Sequence, residues 1–200
     1  MLRIARILHG TTAEGPGLRT AVWMQGCAIR CPGCINPHLF TTRGGHHLAP
    51  ETIVADAVTA GCEGITLLGG EPFDQPAPCA DLVEAAHAAG LGVLVFTGYL
   101  HEDLAARGYE ERRFLQHIDC LVDGPYRADQ PEQHRALVGS GNQRFLHLTD
   151  RYRHYDPHTG RNQLDVRVQS DGTVELAGFL GKTQLDMLGP ALGHRQRRSG

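Results

Sequence analysis

The sequence contains no apolar run long enough to span a bilayer. Its most continuous apolar stretch, residues 91–96, is long enough only for a buried strand. Positive charge is not in excess either, because the formal net charge is −3, which argues against a general nucleic-acid-binding protein. The first ten residues alternate apolar and basic side chains too quickly for the apolar core of a signal peptide. We therefore expect a cytoplasmic protein with neither a membrane nor a nucleic acid as partner.

Internal repeats and low-complexity tracts are also absent from the sequence, which argues against a repeat architecture. The 200 residues are 41% hydrophobic and 20% charged, an ordinary composition for a soluble globular protein. This length suits one domain, or one domain with an appendage. We expect a core domain over residues 1–150 and a C-terminal extension over residues 151–200, which contains a hairpin and a basic tail.

Only one cluster of cysteines is present, and no second array suggests an auxiliary metal centre. Cys27, Cys31 and Cys34 form a C-x3-C-x2-C array within eight residues. In a cytoplasmic chain such a cluster indicates metal or redox chemistry rather than a disulfide framework. The remaining cysteines are scattered, and we expect them to be small buried hydrophobic residues. They are Cys62, Cys79 and Cys120.

The cysteine array by itself supports two kinds of metal site about equally. A four-iron cluster normally has four cysteine ligands, so three cysteines leave one iron without a protein ligand. An open coordination position is where a substrate binds and reacts. Alternatively, His38 follows the array closely enough to complete a structural Cys3His zinc site. Three buried cysteines without any metal are a further possibility.

Apolar segments alternate along the chain with segments of helical periodicity, which predicts an α/β fold with a parallel sheet and right-handed crossovers. There are too few units for a closed eight-stranded barrel, so we expect an open, partial (β/α) barrel followed by a C-terminal β-hairpin. The hairpin is predicted between Gln163 and Leu180, with its turn at Asp171-Gly172. The predicted strands of the barrel are residues 2–8, 19–25, 65–68, 92–97, 118–122 and 145–148. The predicted helices begin near Pro50, Ala80 and His101, and the last is broken near Gly108.

A second motif, Gly69-Gly70-Glu71-Pro72, stands at the end of the predicted strand 65–68. Glycines without side chains let a ligand approach the backbone, whose polar groups can then bind the ammonium of a zwitterion. The motif alone is a weak signal, because most such tetrapeptides are turns. It follows the cysteines by one strand-helix-strand unit, however, and a zinc module accounts for the cysteines but not for this second motif.

The cysteine spacing and the GGE motif resemble those of radical S-adenosylmethionine enzymes. Five further stretches make the chain similar to the activating enzymes of glycyl radical enzymes, especially the anaerobic ribonucleotide reductase branch, from about residue 6 to residue 148. They are EGPGLR before the second strand, CPGC in the cysteine loop, FTGY at residues 96–99, LVDGPY at residues 121–126 and GSGNQR at residues 139–144. The resemblance implies a [4Fe-4S] cluster and S-adenosyl-L-methionine as cofactors.

Site residues follow from the same resemblance. It implies that Cys27, Cys31 and Cys34 bind the cluster and that Gly69, Gly70 and Glu71 line the methionine end of the cofactor. For three more residues the resemblance implies a cofactor role, but the sequence also allows a purely structural one. Asp123 accepts from the ribose hydroxyls or caps a turn, Asn142 contacts the cofactor or forms a turn, and Tyr99 shapes the pocket or packs in the core. Gly33 stands where the family often has an aromatic residue against the adenine.

The resemblance implies that the enzyme cleaves S-adenosylmethionine reductively and generates a glycyl radical on a partner such as anaerobic ribonucleotide reductase. It further implies a flavodoxin- or ferredoxin-type electron donor. Two alternatives stay open. One is a radical S-adenosylmethionine enzyme that modifies a small molecule or a peptide, since the C-terminal hairpin lies beyond the resemblance. The other is a zinc or iron-sulfur module without enzymatic activity.

Overall fold

The computed structural model describes residues 1–179, which contain nine strands and four α-helices. The strands are β1 (Leu2–Thr11), β2 (Arg19–Met24), β3 (His46–Leu48), β4 (Gly64–Gly69), β5 (Gly92–Phe96), β6 (Cys120–Asp123), β7 (Arg144–His147), β8 (Leu164–Val168) and β9 (Val174–Gly178). The helices are α1 (Pro50–Thr59), α2 (Pro76–Ala88), α3 (His101–Ala105) and α4 (Tyr109–Leu115). None of the helices in this range is both long and apolar enough to cross a membrane.

Seven strands form one mixed sheet in the order β3-β1-β2-β4-β5-β6-β7. The four neighbours β2, β4, β5 and β6 are parallel, so the predicted α/β fold and its parallel crossovers are confirmed. The parallel pairing does not extend to the edges, because β1, β3 and β7 run antiparallel to their neighbours. The connection from β1 to β2 spans only residues 12–18, which is shorter than the dozen or so residues of a parallel crossover.

Several predicted boundaries differ from the structure by up to three residues, and two differences are larger. Residues 43–48 have the composition of a turn, yet His46–Leu48 form β3, which pairs with β1 from Leu2 to Ile4. This strand has no apolar run of its own and depends on its partner for its hydrogen bonds. Helix α2 begins at Pro76, earlier than expected, because a proline fits the first turn of a helix. The predicted break at Gly108 is confirmed, since this residue separates α3 from α4.

Both faces of the parallel strands are buried, which explains their almost continuous apolar sequences. On one face, side chains such as Val22, Ile65, Val93 and Leu121 pack against α1, α2 and α4. The opposite face carries Trp23, Leu68, Leu94 and Val122 among others. It is covered by residues 136–137, by two tyrosines and by the end of the hairpin. The three scattered cysteines are buried as predicted.

A buried arginine closes the amino-terminal end of the parallel strands. The Arg19 side chain is inaccessible to solvent, and its guanidinium donates to Thr66 Oγ1, the Tyr152 hydroxyl and three backbone carbonyls. These carbonyls belong to Pro16, Ile65 and Gly92. All acceptors are neutral, so the charge is stabilised by hydrogen bonds instead of a carboxylate partner. Arg19 thereby ties β2, β4 and β5 to the segment after β7.

The predicted hairpin is confirmed by the antiparallel pairing of β8 with β9, which form a separate two-stranded sheet. Its turn contains Gly172, whose φ of +81° favours glycine. Both strands of the hairpin contact the main sheet. In β9, Ala177 is buried among residues of β1 and β2, and the Leu176 carbonyl accepts from Arg6 at 2.7 Å. In β8, Arg167 donates to two carbonyls of β1 at 2.9 Å. Leu180 and the basic tail lie outside the described residues.

Candidate functional site

The cysteine loop begins directly after β2, at the carboxyl end of a central parallel strand. Cys27, Cys31 and Cys34 are all free thiols and all partly exposed, in contrast to the three buried cysteines elsewhere. The loop turns back on itself, since the Cys34 amide donates to the Cys31 carbonyl at 3.2 Å. Three thiols on one surface loop are therefore accessible to iron and to a small ligand from solvent.

Backbone amides point at two of the cysteine sulfurs. The amide of Asn36 lies 3.4 Å from Cys34 Sγ, and amides of Ile29 and Arg30 face Cys27. Partial burial raises the pKa of both thiols, and these amide donors oppose it. The amide donors favour the thiolate, the form of cysteine that binds metals, although burial outweighs them in the metal-free loop.

Gly33 has a structural reason to be glycine. Its φ is +77°, and a β-carbon at this position would lie 2.7 Å from the β-carbon of Ala128. An aromatic side chain therefore cannot be placed here without a shift of the neighbouring loop. The departure from the common family pattern, noted from the sequence, is thus built into the packing of residues 126–128 against the cysteine loop.

A single-metal site with three or more ligands is not formed by His, Cys, Asp or Glu side chains within residues 1–179. The tetrahedral zinc alternative requires four donors around one ion. His38, its fourth donor, lies exposed in the short 3-10 helix Pro37–Leu39. A four-iron cluster imposes a different requirement, because each cysteine binds its own iron at a separate corner.

The GGEP motif packs directly against the start of the cysteine loop. Strands β2 and β4 are parallel neighbours, and Met24 pairs with Gly69 at their carboxyl ends. The pairing continues beyond the strands, because the Gly70 amide donates to Met24 O and the Glu71 amide donates to Gly26 O, both at 2.9 Å. A β-carbon on Gly70 would collide with the Gly26 carbonyl oxygen and lie 2.7 Å from Met24 O. The two motifs are therefore parts of one site.

The Glu71 carboxylate is turned into the protein. It is 2% exposed and accepts hydrogen bonds from the Phe73 amide, the Thr97 hydroxyl and the Gly98 amide, each at 2.9 Å. Burial raises the pKa of Glu71 to about 7, although these three donors lower it. The side chain thus joins the end of β4 to the end of β5. Its place along the methionine end of the cofactor stays a prediction, as do those of Gly69 and Gly70.

Asp123 ends β6 and is fully buried. Its carboxylate accepts hydrogen bonds from the His101 amide at 2.8 Å and from Arg144 Nε at 2.9 Å, and it forms a second contact with Arg144 Nη2. Arg144 also pairs with the exposed Glu102 at 2.8 Å. The sequence placed Arg144 in a motif but gave it no role. Its ion pair with Asp123 is a long-range contact that the motif did not reveal.

Asn142 connects two of the stretches that carry the family resemblance. Its amide donates to the Pro125 carbonyl at 2.8 Å and its oxygen accepts from the Ser140 hydroxyl at 2.9 Å. Tyr99 is partly exposed beside the cysteine loop, with its hydroxyl 3.0 Å from Asp74 Oδ1 and Arg107 over its ring at 3.8 Å. Cofactor contacts of Asn142, Tyr99 and Asp123 stay predictions.

Similarity to known proteins agrees with this arrangement. Residues 13–146 match the family profile described as a 4Fe-4S single cluster domain. The chain is 33% identical over 145 residues to the anaerobic ribonucleoside-triphosphate reductase-activating protein of Salmonella typhi. These residues are 68% of this chain and 92% of the relative. The chain belongs to the radical S-adenosylmethionine activase family.

Two further relatives show the breadth of the radical S-adenosylmethionine activase family. The anaerobic ribonucleoside-triphosphate reductase-activating protein of enterobacteria phage T4 is 28% identical over 152 residues, which are 72% of this chain and 94% of the relative. The pyruvate formate-lyase-activating enzyme of Clostridium pasteurianum is 29% identical over 152 residues, which are 72% of this chain but 60% of that enzyme. The expected family, enzyme class and cofactors are confirmed: the chain is a radical S-adenosylmethionine enzyme that uses a [4Fe-4S] cluster and S-adenosylmethionine.

Proposed function

We propose that this enzyme holds its cluster through Cys27, Cys31 and Cys34 and generates a glycyl radical on a partner enzyme such as anaerobic ribonucleotide reductase. The observation that carries the proposal is the pair of amide-to-carbonyl hydrogen bonds that joins the GGEP motif to the end of β2 and the start of the cysteine loop. A structural metal loop does not require a second glycine-rich motif packed against it. A site that binds an amino acid beside a cluster does.

The donor set fits the cluster. Cys27, Cys31 and Cys34, three partly exposed thiols on one loop, would hold three irons of a four-iron cluster and leave the fourth open to a methionine moiety. A cluster held by these three cysteines would supply the single electron for the reductive cleavage of S-adenosylmethionine, the chemistry from which the glycyl radical on the partner would arise.

The residues around the cysteine loop have positioning duties in this proposal. Gly69 and Gly70 let Trp23 and the start of the cysteine loop pack closely against the motif, which would border the methionine end of the cofactor. The buried Glu71 side chain holds the ends of β4 and β5 at a fixed separation. Asp123 has about four lone-pair positions. Three of these accept from His101 and Arg144, and the side chain is fully buried, so a bond to a ribose hydroxyl would require one of these partners to give way. Asn142 holds its loop near this position, and Tyr99 borders it.

The fold supports a site at the carboxyl ends of the parallel strands. We infer that β2, β4, β5 and β6 form the staves of an open partial barrel of the radical S-adenosylmethionine type. The apolar face that carries Trp23, Leu68 and Phe96 would then line its interior and exclude water from the radical step. Within this proposal residues 1–150 are the catalytic core and residues 151–200 an extension.

The partner is proposed from the relatives, whose names state that they activate anaerobic ribonucleoside-triphosphate reductase and pyruvate formate-lyase. A glycine is accessible to a radical because it has no side chain to obstruct the approach. The partner must present that glycine on a movable loop, since the radical is generated inside the activase. We further propose a flavodoxin- or ferredoxin-type electron donor and a cytoplasmic location, without a nucleic-acid or membrane partner.

The test is anaerobic reconstitution with iron and sulfide, followed by metal analysis and an assay for 5'-deoxyadenosine. The reconstituted chain is then mixed with the anaerobic ribonucleotide reductase of the same genome and examined for a glycyl radical by electron paramagnetic resonance. A glycyl signal supports the proposal. One zinc per chain, without cleavage of S-adenosylmethionine, contradicts it.

One observation favours a second candidate, a radical enzyme that modifies a small molecule or a peptide. The hairpin of β8 and β9 lies beyond residue 146, where the family profile ends, yet it packs on the apolar face of the sheet. An added element at this place suits a different substrate. Formation of 5'-deoxyadenosine without a glycyl radical on either kind of known partner enzyme would favour this candidate.

A further inference from the structure

Asp74 connects three parts of the site, although the sequence motifs give it no role. One carboxylate oxygen, Oδ2, accepts a hydrogen bond from the amide of Ala28 at 2.6 Å. The other, Oδ1, accepts from the Tyr99 hydroxyl at 3.0 Å. Ala28 is the residue next to Cys27, and Tyr99 follows β5. A single carboxylate therefore fixes the first turn of the cysteine loop to the end of a neighbouring strand.

The position of Asp74 is set by its own short helix. Residues Pro72–Asp74 form a 3-10 helix, which Glu71 caps by accepting from the Phe73 amide at 2.9 Å. Phe73 is 2% exposed and packs on Phe114 with ring centroids 4.4 Å apart. Because Phe73 is anchored in the core, the next residue, Asp74, is held at the surface beside the cysteine loop.

The second partner of Asp74 is held just as firmly. The Tyr99 amide donates to Thr97 Oγ1 at 3.2 Å, and the Arg107 guanidinium stacks over the Tyr99 ring at 3.8 Å from its centroid. The Tyr99 backbone is therefore held by Thr97 and its ring by Arg107, and this fixes the hydroxyl beside Asp74. Asp74 has no cation among its own hydrogen-bond partners in residues 1–179, and the nearby Arg107 guanidinium contacts its partner Tyr99 instead.

We propose that Asp74 is a positioning residue that orders the cysteine loop at Ala28 and lowers the reduction potential of the cluster. This inference rests on the proposed ligand role of Cys27. The potential of an iron-sulfur cluster depends on nearby charge and on hydrogen bonds to its sulfurs. A carboxylate next to a ligand disfavours the addition of an electron. It also engages the Ala28 amide, which is then not available as a donor to sulfur.

A lower cluster potential would favour the cleavage of S-adenosylmethionine. A more negative potential makes the reduced cluster a stronger electron donor, and cleavage of a sulfonium needs a strong donor. Asp74 is exposed to solvent, which screens its charge, so its influence depends on its closeness to Cys27. The short bond to Ala28 provides that closeness.

Two substitutions separate the order of the loop from the charge. In Asp74→Asn the amide oxygen still accepts from Ala28, so loop order is kept while the charge is lost. In Asp74→Ala both are lost. The matched control is Asp56→Asn, which makes the same charge change on an exposed residue of α1. The measurements on the reconstituted chains are the cluster midpoint potential by redox titration and amide hydrogen exchange of the cysteine loop.

We expect Asp74→Asn to retain its iron and to shift the midpoint potential to a less negative value, while Asp56→Asn leaves it unchanged. We expect Asp74→Ala to raise exchange at Ala28 roughly tenfold or more, because a bond to a charged group is lost. Equal potentials in Asp74→Asn and Asp56→Asn overturn the electrostatic part, and unchanged exchange in Asp74→Ala overturns the positioning part. A wild-type chain that binds no cluster contradicts the proposed function instead, and exchange at Ala28 still decides the positioning part.

Discussion

The amide of Glu71 donates a hydrogen bond to the carbonyl of Gly26 at 2.9 Å. This bond joins a residue of the GGEP motif to the residue that precedes Cys27. It lies just beyond the parallel pair of β2 and β4, so the register of the sheet decides how the two motifs meet. The geometry of the site therefore depends on the pairing of β2 with β4 as well as on the cysteine loop.

Gly70 is the position where this contact is most sensitive to substitution. A β-carbon there would meet the carbonyl oxygens of Gly26 and Met24, which are backbone atoms with little freedom to move. We expect Gly70→Ala to destabilise the fold by roughly 1–3 kcal/mol, as overpacking does, and to reduce cluster loading. The measurements are urea unfolding and iron content after reconstitution.

The matched control for that substitution is Gly108→Ala. A β-carbon at residue 108 would meet only the flexible end of the Glu111 side chain, at 3.1 Å. We expect iron content to stay at the wild-type value in this variant. Equal iron content in Gly70→Ala and in wild type would show that the motif is not packed on the cysteine loop as described.

Arg19 provides a second test, at the opposite end of the strands. Its removal leaves the carbonyls of Ile65 and Gly92 and the Thr66 hydroxyl without their donor in a buried place. We expect Arg19→Met to cost at least about 3 kcal/mol in the free energy of unfolding. Arg19→Lys should recover only part of it, because an ammonium cannot reproduce the five donors of the planar group.

Tyr152→Phe is the comparison for Arg19, since it removes one bond of the same network. We expect a loss of about 0.5–1.5 kcal/mol in urea unfolding, the usual contribution of one hydrogen bond. A loss in Arg19→Met as small as that in Tyr152→Phe would mean that the guanidinium does not hold the strands together.

Glu14 predicts a pH dependence of stability. It is 3% exposed, its Oε1 accepts from the Gly178 amide at 2.7 Å, and burial raises its pKa to about 7. The same bond and the charge of Arg6 lower the pKa but do not outweigh burial. The native state binds the Glu14 proton more tightly than the unfolded chain does. The contribution of protonated Glu14 to the free energy of unfolding is therefore fully present below about pH 4.5. It is lost as the pH rises towards 7.

The measurement is urea unfolding of wild type and Glu14→Gln at pH 5 and pH 8. We expect the stability of wild type relative to Glu14→Gln to fall by about 3 kcal/mol between these values, at about 1.4 kcal/mol per pH unit. The pKa of Glu71 is also raised, but Glu71 is present in both proteins, so its pH dependence cancels in the difference between wild type and Glu14→Gln. A difference that does not change with pH would contradict the burial of an ionisable Glu14.

The sequence predicted those parts of the structure that local patterns determine. The apolar runs that became β2, β4, β5 and β6 were identified because strands buried on both faces need continuous hydrophobic residues. The hairpin was identified from the alternation on either side of Asp171-Gly172. In contrast, β3 was missed, because His46 and His47 carry no strand signal and the strand exists only through its pairing with β1.

Contacts between distant residues were the other part that the sequence could not supply. The cysteine array and the GGEP motif were each visible, but Asp74 has no local pattern that links it to Ala28 or Tyr99. Likewise, the EGPGLR stretch carries part of the family resemblance, while the buried network of its last residue, Arg19, depends on strands β4 and β5. Such roles arise only when the sheet has brought these residues together.

The proposed enzyme depends on three thiolates that hold a cluster and leave one of its irons accessible. Its most direct test is the measurement of iron and of 5'-deoxyadenosine in wild type, Cys31→Ala and Cys62→Ala after anaerobic reconstitution. We predict that wild type and Cys62→Ala bind about four irons per chain and cleave S-adenosylmethionine, whereas Cys31→Ala loses both cluster and cleavage. Cleavage by Cys31→Ala at the wild-type rate would contradict the account.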